Sequence, residues 1–333
     1  MCHYIFIVMI KNKEIDMPVQ LTDANGSLIP VTFLQFSGGE RHVQIAASTL
    51  TTLKGQVNVQ ARMQSSNDVM DYLLLENVLL ERGLDINLEI PYFPYARQDR
   101  ACAVGQAFSL DVMTRLLSIN AGKKTGGTQG KLVVWDCHSN VTLDLLAANT
   151  HFTEVINVSP ADIIQNCPAL VKMMTEDNCI LICPDHGALA RTQLIADALN
   201  LSRDRAIPII YCEKKRDPVT GKILNAQVNA TDLSGLTALI TDDICDGGAT
   251  FIGIAQELRR LNCSKIMLYV THGIFSRGLG IFEGLIDQIF TTDSFPQQNN
   301  EQNIHQDQNF DQINPQNNLQ TNALLTTIAF SAN

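Results

Sequence analysis

Residues 239–250 read Leu-Ile-Thr-Asp-Asp-Ile-Cys-Asp-Gly-Gly-Ala-Thr. Two adjacent carboxylates, Asp242 and Asp243, follow an apolar run at 236–240. The small-residue loop Asp246-Gly247-Gly248-Ala249-Thr250 then leads into a helical pattern over 251–261. Loop amides and a helix N-terminus can hold a phosphate. An acidic pair can accept hydrogen bonds from two neighbouring ribose hydroxyls. Strand, acidic pair, glycine loop and helix in that order suit a phosphorylated sugar. The plainer alternative for Asp242-Asp243 is an exposed turn, which fits poorly with a loop and helix following at once.

Other polar clusters also come directly after apolar runs of strand length. Pro91-Tyr92-Phe93-Pro94-Tyr95-Ala96-Arg97-Gln98-Asp99-Arg100 follows 86–90. Two arginines and a glutamine can clamp phosphate or stack on a base; a surface loop with an Arg–Asp pair is the plainer alternative. Trp135-Asp136-Cys137-His138 follows 131–135, Pro184-Asp185-His186-Gly187 follows 179–183, and Glu213-Lys214-Lys215-Arg216 follows 207–212. Alone, His138 reads as a hydrogen-bonded histidine at a strand end, and 213–216 as a solvated charge run.

The elements that must position these clusters alternate. A hairpin is expected from 29–36 and 42–46 around Ser37-Gly38-Gly39-Glu40. Helical spacing covers 68–82, 108–119 and 142–148, with strands at 86–90 and 131–135. A second series has helices at 162–175, 186–199 and 251–261, and strands at 179–183, 207–212, 236–240 and 265–271. Alternation at this spacing predicts an α/β protein of mostly parallel sheets with helices on both faces. Ligands in such sheets bind at the carboxyl ends of strands, where the clusters fall. The domains are placed at 17–161 and 162–296. In 297–322, sixteen of 26 residues are Asn or Gln, so that segment is expected to be disordered. The apolar end at 323–330 could dock back as a helix or strand.

At 333 residues, with 45% hydrophobic and 17% charged, the chain can build two ordinary cores. A net charge of −10 argues against nucleic acid as the main partner, though not against a phosphate substrate. Nine cysteines form no Cys-x-x-Cys pair and several sit in apolar runs, which suggests reduced thiols in a cytoplasmic protein. The apolar start at 4–10 is too short to span a bilayer and lacks a basic region or cleavage site, so no membrane or signal segment is expected. A strand, or an untranslated leader with Met9 or Met17 as the alternative start, is the plainer expectation for this segment.

The acidic pair and glycine loop resemble the 5-phosphoribosyl-diphosphate (PRPP) motif of type I phosphoribosyltransferases and PRPP synthetases. Tyr92 to Arg100 looks like the nucleotide loop of ribose-phosphate pyrophosphokinase, the PRPP synthetase. Phe36-Ser37-Gly38-Gly39-Glu40 resembles its Phe-Ser-Asp-Gly-Glu element, and Asp136-Cys137-His138 its Asp-x-His element. Pro184-Asp185-His186-Gly187-Ala188-Leu189-Ala190-Arg191 resembles its Pro-Asp-x-Gly segment, and Glu213-Lys214-Lys215-Arg216 its Lys-Arg-Arg segment. Thr271-His272-Gly273-Ile274-Phe275-Ser276 resembles its Thr-His-x-x-x-Ser segment. The resemblance covers about 29–296, and ordered matches are far more specific than a lone glycine loop.

The resemblance implies two tandem phosphoribosyltransferase-like domains. It implies transfer of the β,γ-diphosphate of ATP to O1 of ribose 5-phosphate, giving PRPP and AMP. His138 and Asp185 match Mg²⁺ ligands, a sensible pair when phosphate oxygens and water complete the shell. Asp136 could orient the His138 ring. Lys214 and Arg216 match the cations that stabilise the transferring diphosphate. Arg97, Gln98, Asp99, Arg100 and His138 match nucleotide-binding positions. Phe36 and Glu40 match base and ribose contacts that the family supplies from a neighbouring subunit, which implies a homo-oligomer, at least a dimer with shared active sites. Asp242 and Asp243 match the ribose hydroxyl contacts, and Asp246, Gly247, Gly248, Ala249 and Thr250 the 5-phosphate loop.

The chain departs from the pattern in three places. Gly38 stands where the family has an Asp. No Lys or Arg lies between Arg100 and Arg115, where the family usually has a basic run. The Asn/Gln-rich tail replaces the ordinary ending. Two other readings stay open: a non-catalytic homologue that regulates an active synthetase, and a phosphoribosyltransferase that consumes PRPP.

Overall fold

The computed structural model describes residues 18–121, 127–216, 223–296 and 325–328, with backbone alone at 214–216, 223–226 and 325–328. These residues form two compact units that divide between Val158 and Ser159. The expectations for 4–10 and 297–322 lie outside the described residues.

The first unit runs β1 (Val19–Asp23), β2 (Leu28–Ile29), β3 (Thr32–Gln35), β4 (Arg41–Gln44), α1 (Ala47–Thr52), β5 (Gln56–Ala61), α2 (Ser66–Glu81), β6 (Asp85–Ile90), α3 (Ser109–Leu116), β7 (Gln129–Trp135), α4 (Asn140–Asn149) and β8 (Glu154–Val158). Six strands form one sheet in the order β2-β1-β5-β6-β7-β8. β5 to β8 are parallel and β1 is antiparallel to β5. The expected hairpin is present as β3–β4, a separate two-stranded sheet. Helix α2 opens with a reciprocal cap, Ser65 accepting from the Asp68 amide and Asp68 accepting from the Ser65 amide.

The second unit runs α5 (Pro160–Gln165), α6 (Pro168–Met173), β9 (Cys179–Cys183), α7 (Leu189–Asn200), β10 (Ile209–Arg216), β11 (Ile223–Val228), β12 (Thr237–Cys245), α8 (Ala249–Arg260), β13 (Lys265–Gly273), β14 (Gln288–Thr292) and β15 (Leu325–Ile328). Its sheet has the order β11-β10-β9-β12-β13-β14-β15, parallel except for β11. Helices on both faces explain why β9 and β14 are buried at every residue.

Several expected boundaries move. The single helix expected over 162–175 is two helices, because Pro168 has no amide to donate and holds Cys167 out of the helical region at φ −114°, ψ 79°. The helix expected over 108–119 ends at Leu116. The strand expected to stop at Cys212 continues to Arg216 through antiparallel pairing with β11. The apolar C-terminal segment supplies β15, the edge strand beside β14. The eight cysteines among the described residues are all free, and six are buried. Burial pushes the Cys212 and Cys245 thiols up to about 12, so they stay neutral and unreactive.

One buried carboxylate locks the first unit. Glu76 on α2 is wholly buried and accepts hydrogen bonds from Tyr72 Oη at 2.7 Å, Gln129 Nε2 at 2.7 Å and Asn120 Nδ2 at 3.0 Å. Burial raises its pKa, and the three donors oppose that rise. The network joins α2 to β7 and to the turn after α3. Glu76→Ala leaves three buried donors without their acceptor and is expected to cost about 3–5 kcal/mol. Urea unfolding followed by circular dichroism checks this; a loss below about 1 kcal/mol would contradict it.

Candidate active site

In the second unit the predicted site residues lie at the carboxyl ends of three neighbouring strands, β10, β9 and β12. Strand β12 does not stop before the acidic pair. It stays paired with β13 through Cys245, opposite Gly273, so Asp242 and Asp243 belong to the strand. The exposed-turn alternative is therefore excluded: Asp243 is 4% exposed. Neighbours in a strand point to opposite faces. Here both carboxylates nonetheless meet one guanidinium. Arg191 Nη1 is 3.7 Å from Asp242 Oδ1 and 3.8 Å from Asp243 Oδ1. Asp242 Oδ1 also accepts the Asp243 amide at 2.9 Å, which bends its side chain back along the strand.

Burial raises the Asp242 carboxyl well above the usual carboxylate range, and Asp243 beside it adds to the rise; Arg191 opposes it. The pair is thus a dense acceptor site that one cation partly neutralises. Arg191 sits in the first turn of α7. That helix is placed by the turn Pro184-Asp185-His186-Gly187, where Asp185 Oδ1 accepts the amides of Gly187 at 2.9 Å and Ala188 at 3.2 Å. Sequence reasoning gave Arg191 no role, because its carboxylate partners lie some fifty residues later and nothing local marks it.

The glycine loop is shaped from outside as well as by its own residues. Gly248 is buried at φ +73° and caps α8, which has no side-chain cap at its N-terminus. A methyl group there would stand 2.7 Å from Phe282 Cζ and 2.9 Å from Ile281 Cδ1. Cys245 O accepts the amides of Ile274 at 2.9 Å and Phe275 at 3.0 Å. The Thr-His-Gly-Ile-Phe-Ser segment therefore holds the start of the loop. Phe275, at φ 47°, packs edge-on against Phe282 with centroids 6.2 Å apart. Ala249 and Thr250 are exposed and Asp246 is partly so. The result is a rigid turn whose outer face is open to a ligand.

Lys214 and Arg216 lie on the part of β10 paired with β11, opposite Ala226 and Ile223, with a register shift between Lys215 and Arg216. They are strand residues rather than a loose charge run; their side chains lie outside the description.

In the first unit, the 91–100 loop and the 136–138 turn leave the adjacent parallel strands β6 and β7 side by side, joined by Trp135 N donating to Pro91 O at 3.3 Å. Phe93 and Ala96 are buried and anchor the loop; Arg97, Gln98 and Arg100 are exposed and Asp99 partly so. Tyr95 at φ 63° and Asp136 at φ 36° hold these two turns in the left-handed region. His138 is exposed at the end of β7. Phe36 and Glu40 occupy the tip of the β3–β4 hairpin, where Phe36 is 56% exposed and lies 5.8 Å from the His42 ring. Arg41 ties the hairpin to α2 through a two-pronged ion pair with buried Asp71. The loop 101–107 is exposed throughout, and Gln106 Oε1 accepts the Cys102 amide within it. Among the described residues no three His, Cys, Asp or Glu gather as a metal cluster.

A family profile described as a phosphoribosyl transferase domain matches residues 161–281, which contain the acidic pair and glycine loop. The ribose-phosphate pyrophosphokinase of Thermococcus kodakarensis is 28% identical over 282 residues, covering 83% of this chain and 90% of the relative. That of Mycoplasmopsis pulmonis is 31% identical over 235 residues, covering 69% of this chain and 66% of the relative. The chain is a relative of the ribose-phosphate pyrophosphokinases. Its fold agrees: a phosphoribosylpyrophosphate synthetase from Mycobacterium smegmatis superposes with a TM-score of 0.65 at 19% identity, covering 92% of this chain and 87% of the other. This likeness bears on the fold alone, which is α/β with two parallel-dominated sheets, as expected. No helix among the described residues is long and apolar enough to cross a membrane.

Two outcomes follow from the second-unit geometry. Gly248→Ala forces a side chain into the left-handed region and into Phe282, and is expected to cost about 2–4 kcal/mol in urea unfolding. A carboxyl whose pKa is higher folded than unfolded costs nothing below its unfolded value and progressively more as pH rises toward its folded value. Asp242→Asn is therefore expected to stabilise the protein at about pH 7 and to leave it unchanged at about pH 3. Thermal melts at both pH values check this, and equal shifts at both would contradict it.

Proposed function

We propose that this chain is a Mg²⁺-dependent ribose-phosphate diphosphokinase, transferring the β,γ-diphosphate of ATP to O1 of ribose 5-phosphate. The observation that carries the reading is the Asp242–Asp243 pair, Asp243 buried and Asp242 partly so, against Arg191, followed by a glycine turn at the head of α8. The pair takes the ribose 2- and 3-hydroxyls, and the amides of 246–250 take the 5-phosphate. Supporting it, relatives named ribose-phosphate pyrophosphokinase match along most of the chain.

In the proposed reaction the anomeric hydroxyl oxygen attacks the β-phosphorus, the bond from that phosphorus to the α-bridging oxygen breaks, and AMP leaves. The hydroxyl proton passes to solvent. The second unit holds the acceptor sugar. Arg97, Gln98, Asp99, Arg100 and His138 hold the nucleotide. Lys214 and Arg216 neutralise the transferring diphosphate, and little else is needed in a reaction governed by position and charge. His138 and Asp185 would hold the Mg²⁺. The donor set suits that role, because Asp185 is fixed at a strand end by two amides and Mg²⁺ keeps water and substrate phosphate oxygens as its other ligands. When bound, the ion would neutralise phosphate charge.

The reading places the protein in the cytoplasm as a homo-oligomer, with the exposed tip residues Phe36 and Glu40 serving a neighbouring copy. A regulatory, non-catalytic homologue is the second reading. Gly38 and the exposed, cation-free loop 101–107 favour it. A methyl at Gly38 would press on the Glu40 carboxylate, a flexible group that can move aside, so the glycine is not required for space.

Purified protein with Mg²⁺, ribose 5-phosphate and a panel of nucleoside triphosphates is expected to release AMP and PRPP in equal amounts from ATP. Background release from every triphosphate would overturn the enzyme reading. Lys214→Ala is expected to lower kcat about 100-fold or more with unchanged circular dichroism. Unchanged turnover would remove Lys214 from the reaction.

A further inference from the structure

Arg277 follows the Thr-His-Gly-Ile-Phe-Ser segment and has no part in the reaction as described above. It occupies a tight turn in which Gly278 N donates to Phe275 O at 2.8 Å, with Phe275 at φ 47° and Gly278 at φ +72°. The same turn is bound to the glycine loop through Cys245 O. Its placement is therefore set by the backbone that shapes that loop. The Arg277 stem lies along Gly247: a methyl group on Gly247 would be 3.5 Å from Arg277 Cδ, in ordinary contact. The guanidinium begins one bond beyond that carbon.

The charge around the loop gives this placement meaning. Asp242, Asp243 and Asp246 all lie within five residues of Gly247, and a phosphate dianion is repelled by each of them. Uncapped amides at a helix head carry only about half a positive charge. Arg191 is already committed to the acidic pair. Arg277 is exposed, and among the described residues it makes no hydrogen bond or ion pair. An uncommitted planar fork suits a phosphate, which it can meet with two parallel hydrogen bonds.

We propose that Arg277 binds the 5-phosphate of the sugar substrate and so sets the preference for a phosphorylated over an unphosphorylated pentose. This rests on the reading of 246–250 as the sugar-phosphate loop.

The test is ribose 5-phosphate binding by isothermal titration calorimetry, alongside steady-state kinetics, for wild type, Arg277→Gln and Arg277→Lys. Arg277→Gln is expected to weaken ribose 5-phosphate binding and kcat/KM for that substrate about tenfold or more, with KM for ATP within about twofold. Arg277→Lys is expected to recover a large part of the loss. Ribose 5-phosphate affinity within about twofold of wild type in Arg277→Gln would overturn the proposal. If wild type releases no AMP but binds ribose 5-phosphate through Arg277, the diphosphokinase reading fails and this one stands. If wild type binds no ribose 5-phosphate, this proposal falls as well.

Discussion

Two carboxylates share one guanidinium at the buried end of a strand, and much of the second unit serves that arrangement. Asp242 and Asp243 lose hydration where β12 is covered on both faces, and each raises the cost of charging the other. Arg191 offsets part of this, with Nη1 3.7 Å from Asp242 Oδ1 and 3.8 Å from Asp243 Oδ1. To be there it needs α7 to begin at Leu189, just past the turn that Asp185 caps, and it needs β12 to run past residue 240. The extension of β12 depends in turn on β13 pairing as far as Gly273. The carboxylates remain strong acceptors, and two adjacent sugar hydroxyls are donors that suit them.

The glycine turn is the second half of the same construction. Gly248 carries both the left-handed backbone and the lack of a side chain that Phe282 requires. The Cys245 carbonyl is fixed by two amides from the 271–276 segment. That segment had a family likeness and no assigned role in sequence. In the fold it is the brace of the glycine turn, and Arg277 extends from it.

Legibility in the sequence tracked locality. The acidic pair, the glycine loop and the following helix could be read because their signals are contiguous. Strands at 86–90 and 179–183 and helix α2 were clear from apolar spacing. Strand β5, Gln56–Ala61, alternates plainly yet leads into no motif, and it is absent from the expected elements. Strands β8 and β14, five residues each, likewise lead into no motif and are absent from the expected elements. The ends of β10 and β12 are decided by their partners, β11 and β13, and not by their own residues. Arg191, the Glu76 network and Arg277 were out of reach because their partners are distant in the chain. Pro168 is the opposite case: its effect is local, and it outweighs the apolar spacing that suggested one helix across 162–175.

In the proposed reaction the sugar held at Asp242, Asp243 and the glycine turn accepts a diphosphate intact. Transfer from ATP radiolabelled at the γ-phosphorus tests it most directly. The label is expected to move to a sugar product that retains its 5-phosphate, with the diphosphate on O1 and unlabelled AMP as the partner product. Label recovered in inorganic phosphate, or in a sugar product formed together with ADP, would contradict it.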